Sequence, residues 1–412
     1  MSTSLSNLDF HLLDPAFLNN PYPVYQSLRT QTPAYWYSRD GSPDYWMVTR
    51  YEDVRTLLRD PRLSSGGSRG SSTLSAISPA DRKAHADFLN FYNKWVLLSD
   101  PPQHTRLRKL TNQGFTLGHV ARLEPYMKGL AEGLLNGLPK DEPVEFMSAF
   151  AQIMPAMVIL EILGIPQKDR RQLVAWSNEV AILIGLGQIT LDIFKRIRGS
   201  YMAMTHYFTR HIEKLKQGHG EDVLSSLTRA VEEGDRLSVP ELYAQAVVLM
   251  IGGHETTRNL IGNGLHLLLS HPGLYDAIRQ DPLSLELCIE EFLRFESPVQ
   301  FVGRTTREPM VIHGQTIGED QLVMLMIGAA NRDPEVFDDP QSFNPKRSPN
   351  KHLSFGLGIH YCLGAPLARA QARIVFEAIL RRFSRIELLE PPQWAPSPVF
   401  RGPARLMVKL DT

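Results

Sequence analysis

The sequence predicts a mainly α-helical protein with a minor β region, folded as one domain over residues 1–412. Apolar residues recur at helical spacing through most of the chain. The run Val239–Ser270 is apolar nearly all round, the pattern of a helix through the middle of a molecule. After Pro298 the pattern shortens into alternating runs between Gly and Asp turns. Gly, Pro and Ser punctuate the chain without forming a clear linker, so a length that allows two or three domains does not require them.

In chain order, Pro23–Thr30 predicts a short helix opened by proline. Tyr45–Thr49 predicts a strand, with a helix over Tyr51–Asp60 behind it. The Gly/Ser-rich stretch Ser64–Ser75 predicts a long flexible loop, and such loops in compact domains are usually functional or disordered. Helices follow over His104–Gly114, Val120–Leu135, Phe146–Leu163, Lys168–Gly185, Ile189–Gln217, Glu221–Glu233, Val239–Ser270, Gly273–Gln280 and Ser284–Phe295. Thr305–Ile312, His313–Ile317 and Gln321–Ile327 predict short strands. Pro366–Phe383 predicts a strong last helix, and the tail from Arg385 returns to short strands.

Lys+Arg and Asp+Glu balance at 44 each, so bulk charge argues for neither nucleic acid nor an anionic membrane as partner. Met1–Phe10 lacks the basic flank and apolar run of a signal peptide. The longest apolar stretches, such as Ala246–Ile251 and Val323–Ile327, are too short to span a bilayer. Two cysteines, Cys288 and Cys362, make no disulfide scaffold. A cytoplasmic protein with room for one functional thiol is the expectation.

The chemistry concentrates in His352-Leu-Ser-Phe355-Gly356-Leu-Gly358-Ile-His360-Tyr-Cys362-Leu-Gly364. A glycine-punctuated loop delivers one cysteine to the start of a helix. Gly356, Gly358 and Gly364 allow positive φ or the close approach of a flat partner. The helix beginning near Leu363 aims its free N–H groups and positive dipole end at the sulfur, which favours thiolate, the metal-binding form. Phe355 can pack on the sulfur side of a macrocycle, and His360 can meet a carboxylate. The bland alternative is a buried structural cysteine. A nucleophilic thiol would need a His base and an oxyanion site, and no such local signature is present.

This segment resembles the haem-binding signature of the cytochrome P450 family, Phe-Gly-x-Gly-x-His-x-Cys-x-Gly, at every defined position. The resemblance implies a single-domain P450 fold that holds haem b, iron protoporphyrin IX, between the long central helix and the Cys-loop helix. Cys362 then ligates the iron, with Phe355 and Gly356 among the cofactor contacts.

Gly252-Gly253-His254-Glu255-Thr256-Thr257 interrupts the long apolar helix with two glycines, each costing about 1 kcal/mol against Ala. They are expected to let the hydrogen-bond ladder open, where the Glu255 carboxyl and Thr256 hydroxyl can relay protons. A packing kink with a solvated Glu is the alternative. The segment resembles the family's oxygen-activation motif, which implies that Thr256 hydrogen-bonds bound oxygen and Glu255 brings protons in. His254 is expected to pack or face solvent.

Glu291-Phe-Leu-Arg294 places opposite charges at i and i+3, in isolation no more than a surface pair. It resembles the family's buried Glu-x-x-Arg, which implies a structural lock with Arg347. Asp100-Pro-Pro-Gln-His104-Thr-Arg-Leu-Arg108 puts His104 and Arg108 on one helix face, and resemblance assigns them, with Arg304 and His360, to the haem propionates. Asn20-Pro-Tyr-Pro, Ala330-Asn-Arg-Asp-Pro334 and Arg401-Gly402 also look like the soluble bacterial branch.

Position relative to these motifs predicts an apolar pocket walled by Leu249, Gly252, Gly253, Val299, Gln300, Phe301, Val399 and Phe400, with a lid from Ser64–Trp95 and Ala181–Gly187. The implied activity inserts one atom of O2 into a hydrophobic small molecule by hydroxylation or epoxidation, as in polyketide or terpenoid tailoring. No flavin or nicotinamide motif is present, so electrons are expected from a ferredoxin and its NAD(P)H-dependent reductase. Arg106, Lys109 and Arg369 either face that acidic donor or are ordinary solvated charge. A peroxide-driven peroxygenase and a non-catalytic haem ligand-binding or sensor protein are the alternatives.

Overall fold

The computed structural model describes residues 10–39, 44–66, 78–84, 88, 93–140, 142–184, 190–215, 224–225, 228 and 238–411. Eight helices position the site: α1 (Gln103–Thr111), α2 (Leu117–Asn136), α3 (Ile153–Ile162), α4 (Gln167–Ala181), α5 (Leu191–Leu215), α6 (Val239–Ser270), α7 (Leu285–Phe295) and α8 (Ala365–Arg382).

α6 has the bounds the sequence predicts. It starts at a capping box, in which Ser238 Oγ accepts the Glu241 N–H and the Glu241 carboxylate accepts the Ser238 N–H, 2.8 Å, so two orphan donors are satisfied together. Most of its residues are buried, because α3, α4, α5, α7 and α8 all pack on it. Gly264 is the point of closest approach. A Cβ there would lie 2.5 Å from Phe376 Cζ of α8 and 2.8 Å from Phe292 Cδ2 of α7.

A five-stranded sheet flanks the helices in the order β1 (Ala34–Tyr37), β2 (Tyr45–Val48), β8 (Leu322–Leu325), β5 (Val302–Thr306), β3 (Leu63–Ser64). The β2–β8 pair is parallel and the rest antiparallel. A second sheet runs β4 (Pro143–Glu145), β12 (Met407–Asp411), β9 (Arg385–Leu388). Two small hairpins complete the β region, β6 (Met310–Ile312) with β7 (Gln315–Ile317) and β10 (Gln393–Trp394) with β11 (Pro403–Arg405).

Two predicted elements divide. Phe146–Leu163 is a π-helical turn, Met147–Ala151, followed by α3. Pro155 has no N–H to give Ala151, and the Gln152 N–H bonds instead to Met147 O at 2.8 Å. Thr305–Ile312 is not one strand but the end of β5 and all of β6, with a turn at 307–309. β1, β3 and β4 are strands the periodicity does not announce. Most of Glu221–Glu233, the stretch after Gly66 and the end of Ala181–Gly187 lie outside the described residues; so does much of the predicted lid. Among the described residues no single helix is long and apolar enough to cross a membrane.

Candidate active site

A cavity of about 290 Å³ opens between α6 and the loop that precedes α8. α6 gives it Val248, Leu249, Gly252, Gly253, Thr256 and Thr257. The loop gives Phe355, Gly356, His360, Cys362 and Gly364, α1 gives His104 and Arg108, and β5 gives Val302, Gly303 and Arg304. Segments far apart in sequence thus meet around one cavity.

The Cys362 N–H is held by Phe355 O at 2.8 Å, closing the loop on itself. Gly356 and Gly358 take φ of 67° and 71°, where a side chain would be strained. Burial pushes the Cys362 thiol up. The Gly364 and Ala365 N–H groups, which hydrogen-bond the sulfur, and the Arg108 and Arg369 charges pull the other way. Burial wins, so the helix start does not by itself give the thiolate the sequence predicts; a coordinated metal cation deprotonates a thiol outright. Behind the loop, the Arg369 guanidinium lies 4.4 Å from the centre of the Phe355 ring and grips Glu290 at 2.7 and 2.8 Å.

At the cavity edge His104 and His360 sit 4.2 Å apart, ring centre to ring centre. Both His104 nitrogens are buried without a partner. Ser65 Oγ lies 3.0 Å from His360 Nε2, and Arg108 donates to Tyr361 O at 2.5 Å. Burial, then the Arg304 charge, holds His360 near a pKa of about 3; burial, then Arg108, lowers His104. Two guanidiniums and an unsatisfied imidazole therefore face a cavity whose described wall contains no carboxylate. The set fits a flat, apolar macrocycle with anionic substituents and a soft metal site, which is the chemistry of haem.

On the opposite wall α6 runs unbroken past its glycines, so the expected opening of the ladder is absent. Gly253 is there for packing: a Cβ would lie 2.8 Å from Ile159 Cδ1 of α3. Gly252 meets nothing within 4 Å and leaves its side of the helix open to the cavity. Thr256 Oγ1 donates to Gly252 O at 3.1 Å and Thr257 Oγ1 to Gly253 O at 3.4 Å. Thr256 lines the cavity and Glu255 does not; the Glu255 carboxylate pairs with Arg258 at 2.9 Å. His254 is a packing residue, its ring nitrogens 2.9 Å from Met250 O and from Asn178 Oδ1.

The predicted lock is assembled. Arg294 clasps Glu291 with bonds of 2.7 and 2.8 Å, and Arg347 Nε reaches it at 3.1 Å. Asn344 N–H and Asn350 Nδ2 fill its remaining lone pairs. Arg294 also donates to Asn331 O and Pro340 O, which pins the irregular segment before the Cys loop.

Four predicted wall residues lie elsewhere. Gln300 is turned back on the chain, its Nε2 donating to Ser297 O at 2.7 Å. Phe301 and Val399 are buried in the core beside Tyr22 and Tyr25, and Phe400 packs at its margin. Leu249, Gly252, Gly253 and Val299 do line the cavity. Arg106 and Arg369 are paired, with Glu241 and Glu290; Lys109 is exposed.

Residues 19–409 match the family model described as Cytochrome P450. The chain belongs to the cytochrome P450 family. It is 36% identical over 409 residues to the cytochrome P450 monooxygenase PikC of Streptomyces venezuelae, covering 98% of this chain and 94% of that one. It is 34% identical over 415 residues to the polyketide biosynthesis cytochrome P450 PksS of Bacillus subtilis (strain 168), covering 99% and 100%. The crystal structure of P450BioI with a hexadec-9Z-enoic acid-ligated acyl carrier protein superposes with a TM-score of 0.88 at 33% identity, covering 96% and 99%. This P450 is a haem-iron monooxygenase, an oxidoreductase that uses O2 and electrons from redox partners.

Val96, Leu97 and Leu98 also line the cavity of this P450 and carry no motif, so only their contacts reveal them; Ser65 falls in the predicted lid stretch, and Leu293 fills an undefined position between Glu291 and Arg294.

Proposed function

We propose that this P450 hydroxylates or epoxidises a hydrophobic natural product of the polyketide or terpenoid kind, using haem b ligated by Cys362. The single observation that supports this most is the cavity wall itself. It sets Cys362 across from Thr256, with Leu249, Val248, Val299 and Leu293 as an apolar lining. Such a wall binds apolar carbon skeletons by burial and offers few polar handles for anything else.

When bound, haem supplies the activation of O2 and the transfer of one oxygen atom. Cys362 Sγ would ligate its iron, while Phe355, Gly356 and Gly364 give its face room. Arg108, Arg304, His104 and His360 would hold its carboxylates. Thr256 Oγ1 is the hydroxyl on the cavity wall, and it hands a proton inward. Glu255, once released from Arg258, takes a proton from solvent and passes it on to that hydroxyl. The buried Glu291–Arg294–Arg347 lock keeps the Cys loop in place and takes no part in the chemistry.

A ferredoxin with its NAD(P)H-dependent reductase is the proposed electron source, with exposed Lys109 among the cations an acidic donor would meet. Both cysteines are free thiols, which suits the cytoplasm. The test is turnover under oxygen-18 gas with ferredoxin, reductase and NADPH, over a library of polyketide and terpenoid scaffolds. One labelled atom per product molecule is expected. Product with peroxide alone, and none with the electron-transfer partners, would contradict the reading.

A further inference from the structure

Asp100 touches both histidines of the cavity edge indirectly, by two different routes. Its carbonyl oxygen accepts the His104 N–H at 2.8 Å, which fixes the start of α1. Its carboxylate faces the other way, onto the turn that leaves β3. There Asp100 Oδ1 accepts the Ser65 N–H at 3.0 Å, and Oδ2 accepts from the Ser64 hydroxyl and from Arg307 Nη2, the latter at 2.8 Å. Ser64 Oγ in turn accepts the Gly66 N–H at 3.0 Å. The carboxylate is thus filled by three partners, two of which, Ser64 and Ser65, tie the turn after β3 to the residues just before α1.

The consequence reaches His360. Ser65 is almost wholly buried, and its hydroxyl sits 3.0 Å from His360 Nε2. The partner of one imidazole nitrogen decides which nitrogen carries the proton. A serine hydroxyl can donate to Nε2, and the neutral ring then keeps its proton on Nδ1, the remaining nitrogen, and is a donor rather than an acceptor there. A donor suits a haem carboxylate; a bare ring nitrogen would repel one.

We propose that Asp100 and Ser65 are positioning residues for the haem edge: Asp100 latches Ser65, and Ser65 sets His360 as a hydrogen-bond donor to a haem carboxylate. This rests on the haem reading above. It adds a residue from the β3 turn to a site otherwise built from α1, β5 and the Cys loop. It also explains why a carboxylate stands beside two arginines and two histidines without lining the cavity: its lone pairs are spent on the turn and on Arg307.

The experiment uses the haem-loaded protein with Ser65→Ala, Asp100→Asn and the double variant. Haem transfer to an excess of a haem-scavenging apoprotein gives the release rate, and resonance Raman gives the haem carboxylate bending bands. Loss of one neutral hydrogen bond should speed release about fivefold in each single variant and shift the same band. The double variant should be no faster than the faster single, because both act through one bond. Wild-type release rate and an unshifted band in Ser65→Ala would overturn the proposal. Faster release in Asp100→Asn alone, with no band shift, would reduce Asp100 to a fold-stabilising role and overturn it too. If Asp100→Asn does not fold, Ser65→Ala decides by itself. Failure of the haem reading is seen separately, in wild-type protein that binds no haem.

Discussion

Glu255 Oε1 accepts a hydrogen bond from Arg258 Nη1 at 2.9 Å, one turn along α6, while its neighbour Thr256 lines the cavity. Arg258 is itself anchored, donating to Pro403 O at 3.2 Å. The acid and the hydroxyl are adjacent in sequence yet point to different surroundings. In the proposed relay the carboxylate has to leave its ion pair before it can deliver a proton. Glu255→Gln should lower kcat by at least about 100-fold while leaving the substrate Kd unchanged, measured by steady-state turnover and equilibrium titration. An unaltered kcat would remove Glu255 from the relay.

Thr256→Ala removes the hydroxyl from the cavity wall and costs only a back-bond to Gly252 O. The variant should keep consuming NADPH and should release much of the reducing power as hydrogen peroxide. Peroxide formed per NADPH is the readout. Wild-type coupling would count against a proton role for this hydroxyl.

Gly252 and Gly253 of α6 should respond oppositely. A methyl at Gly253 meets Ile159 Cγ1 and Cδ1 at 2.8 Å, and such overpacking costs about 1–3 kcal/mol, more than the helix-propensity gain of about 1 kcal/mol. Gly253→Ala should lower the melting temperature, and Ile159→Val should restore part of it. Gly252→Ala meets nothing and should hold or raise the melting temperature, yet weaken binding of the bulkiest ligands because its methyl enters the cavity.

The contrast between these glycines marks where sequence reading stopped. The Cys loop was legible because its chemistry is local: Phe355 to Gly364 closes on itself, and resemblance names each position. α6 was legible because its long apolar run marks its extent. Gln300, Phe301, Val399 and Phe400 were misplaced because β5 and the Val299–Phe400 bridge, not spacing from a motif, decide which side chains face the cavity. Glu296 was missed as a second buried charge, since its partners Arg401 and Tyr22 lie 105 and 274 residues away. Ser65 hides in a Gly/Ser-rich stretch whose composition suggests only a loop.

Glu291 has no exposed surface, and its two arginine partners are nearly as buried. Removing the carboxylate charge strands two guanidiniums in the core. Glu291→Gln should destabilise the protein by about 3–5 kcal/mol, or prevent haem-loaded protein from accumulating. Denaturant unfolding of the loaded protein checks this; a loss below about 1 kcal/mol would contradict a locking role.

Burial by itself would raise the pKa of Glu290, but the Arg369 and His352 hydrogen bonds outweigh it and hold the group at about 2. A depressed carboxylate stabilises the fold fully above its unfolded value, near 4.5, and loses that contribution as pH falls towards about 2. The melting-temperature gap between wild type and Glu290→Gln should therefore be widest above pH 5 and shrink steadily below pH 4.5. A gap independent of pH would show that Glu290 is not ionised in its pair with Arg369.

The proposed function depends on a bond between Cys362 Sγ and haem iron. Its most direct test is the absorption spectrum of the dithionite-reduced protein under carbon monoxide, for wild type and for Cys362→Ala and Cys288→Ala. Wild type and Cys288→Ala should give the thiolate-ligated carbonyl spectrum, and Cys362→Ala should lose it. A thiolate spectrum that survives in Cys362→Ala, or a nitrogen-ligated spectrum in wild type, would contradict the account.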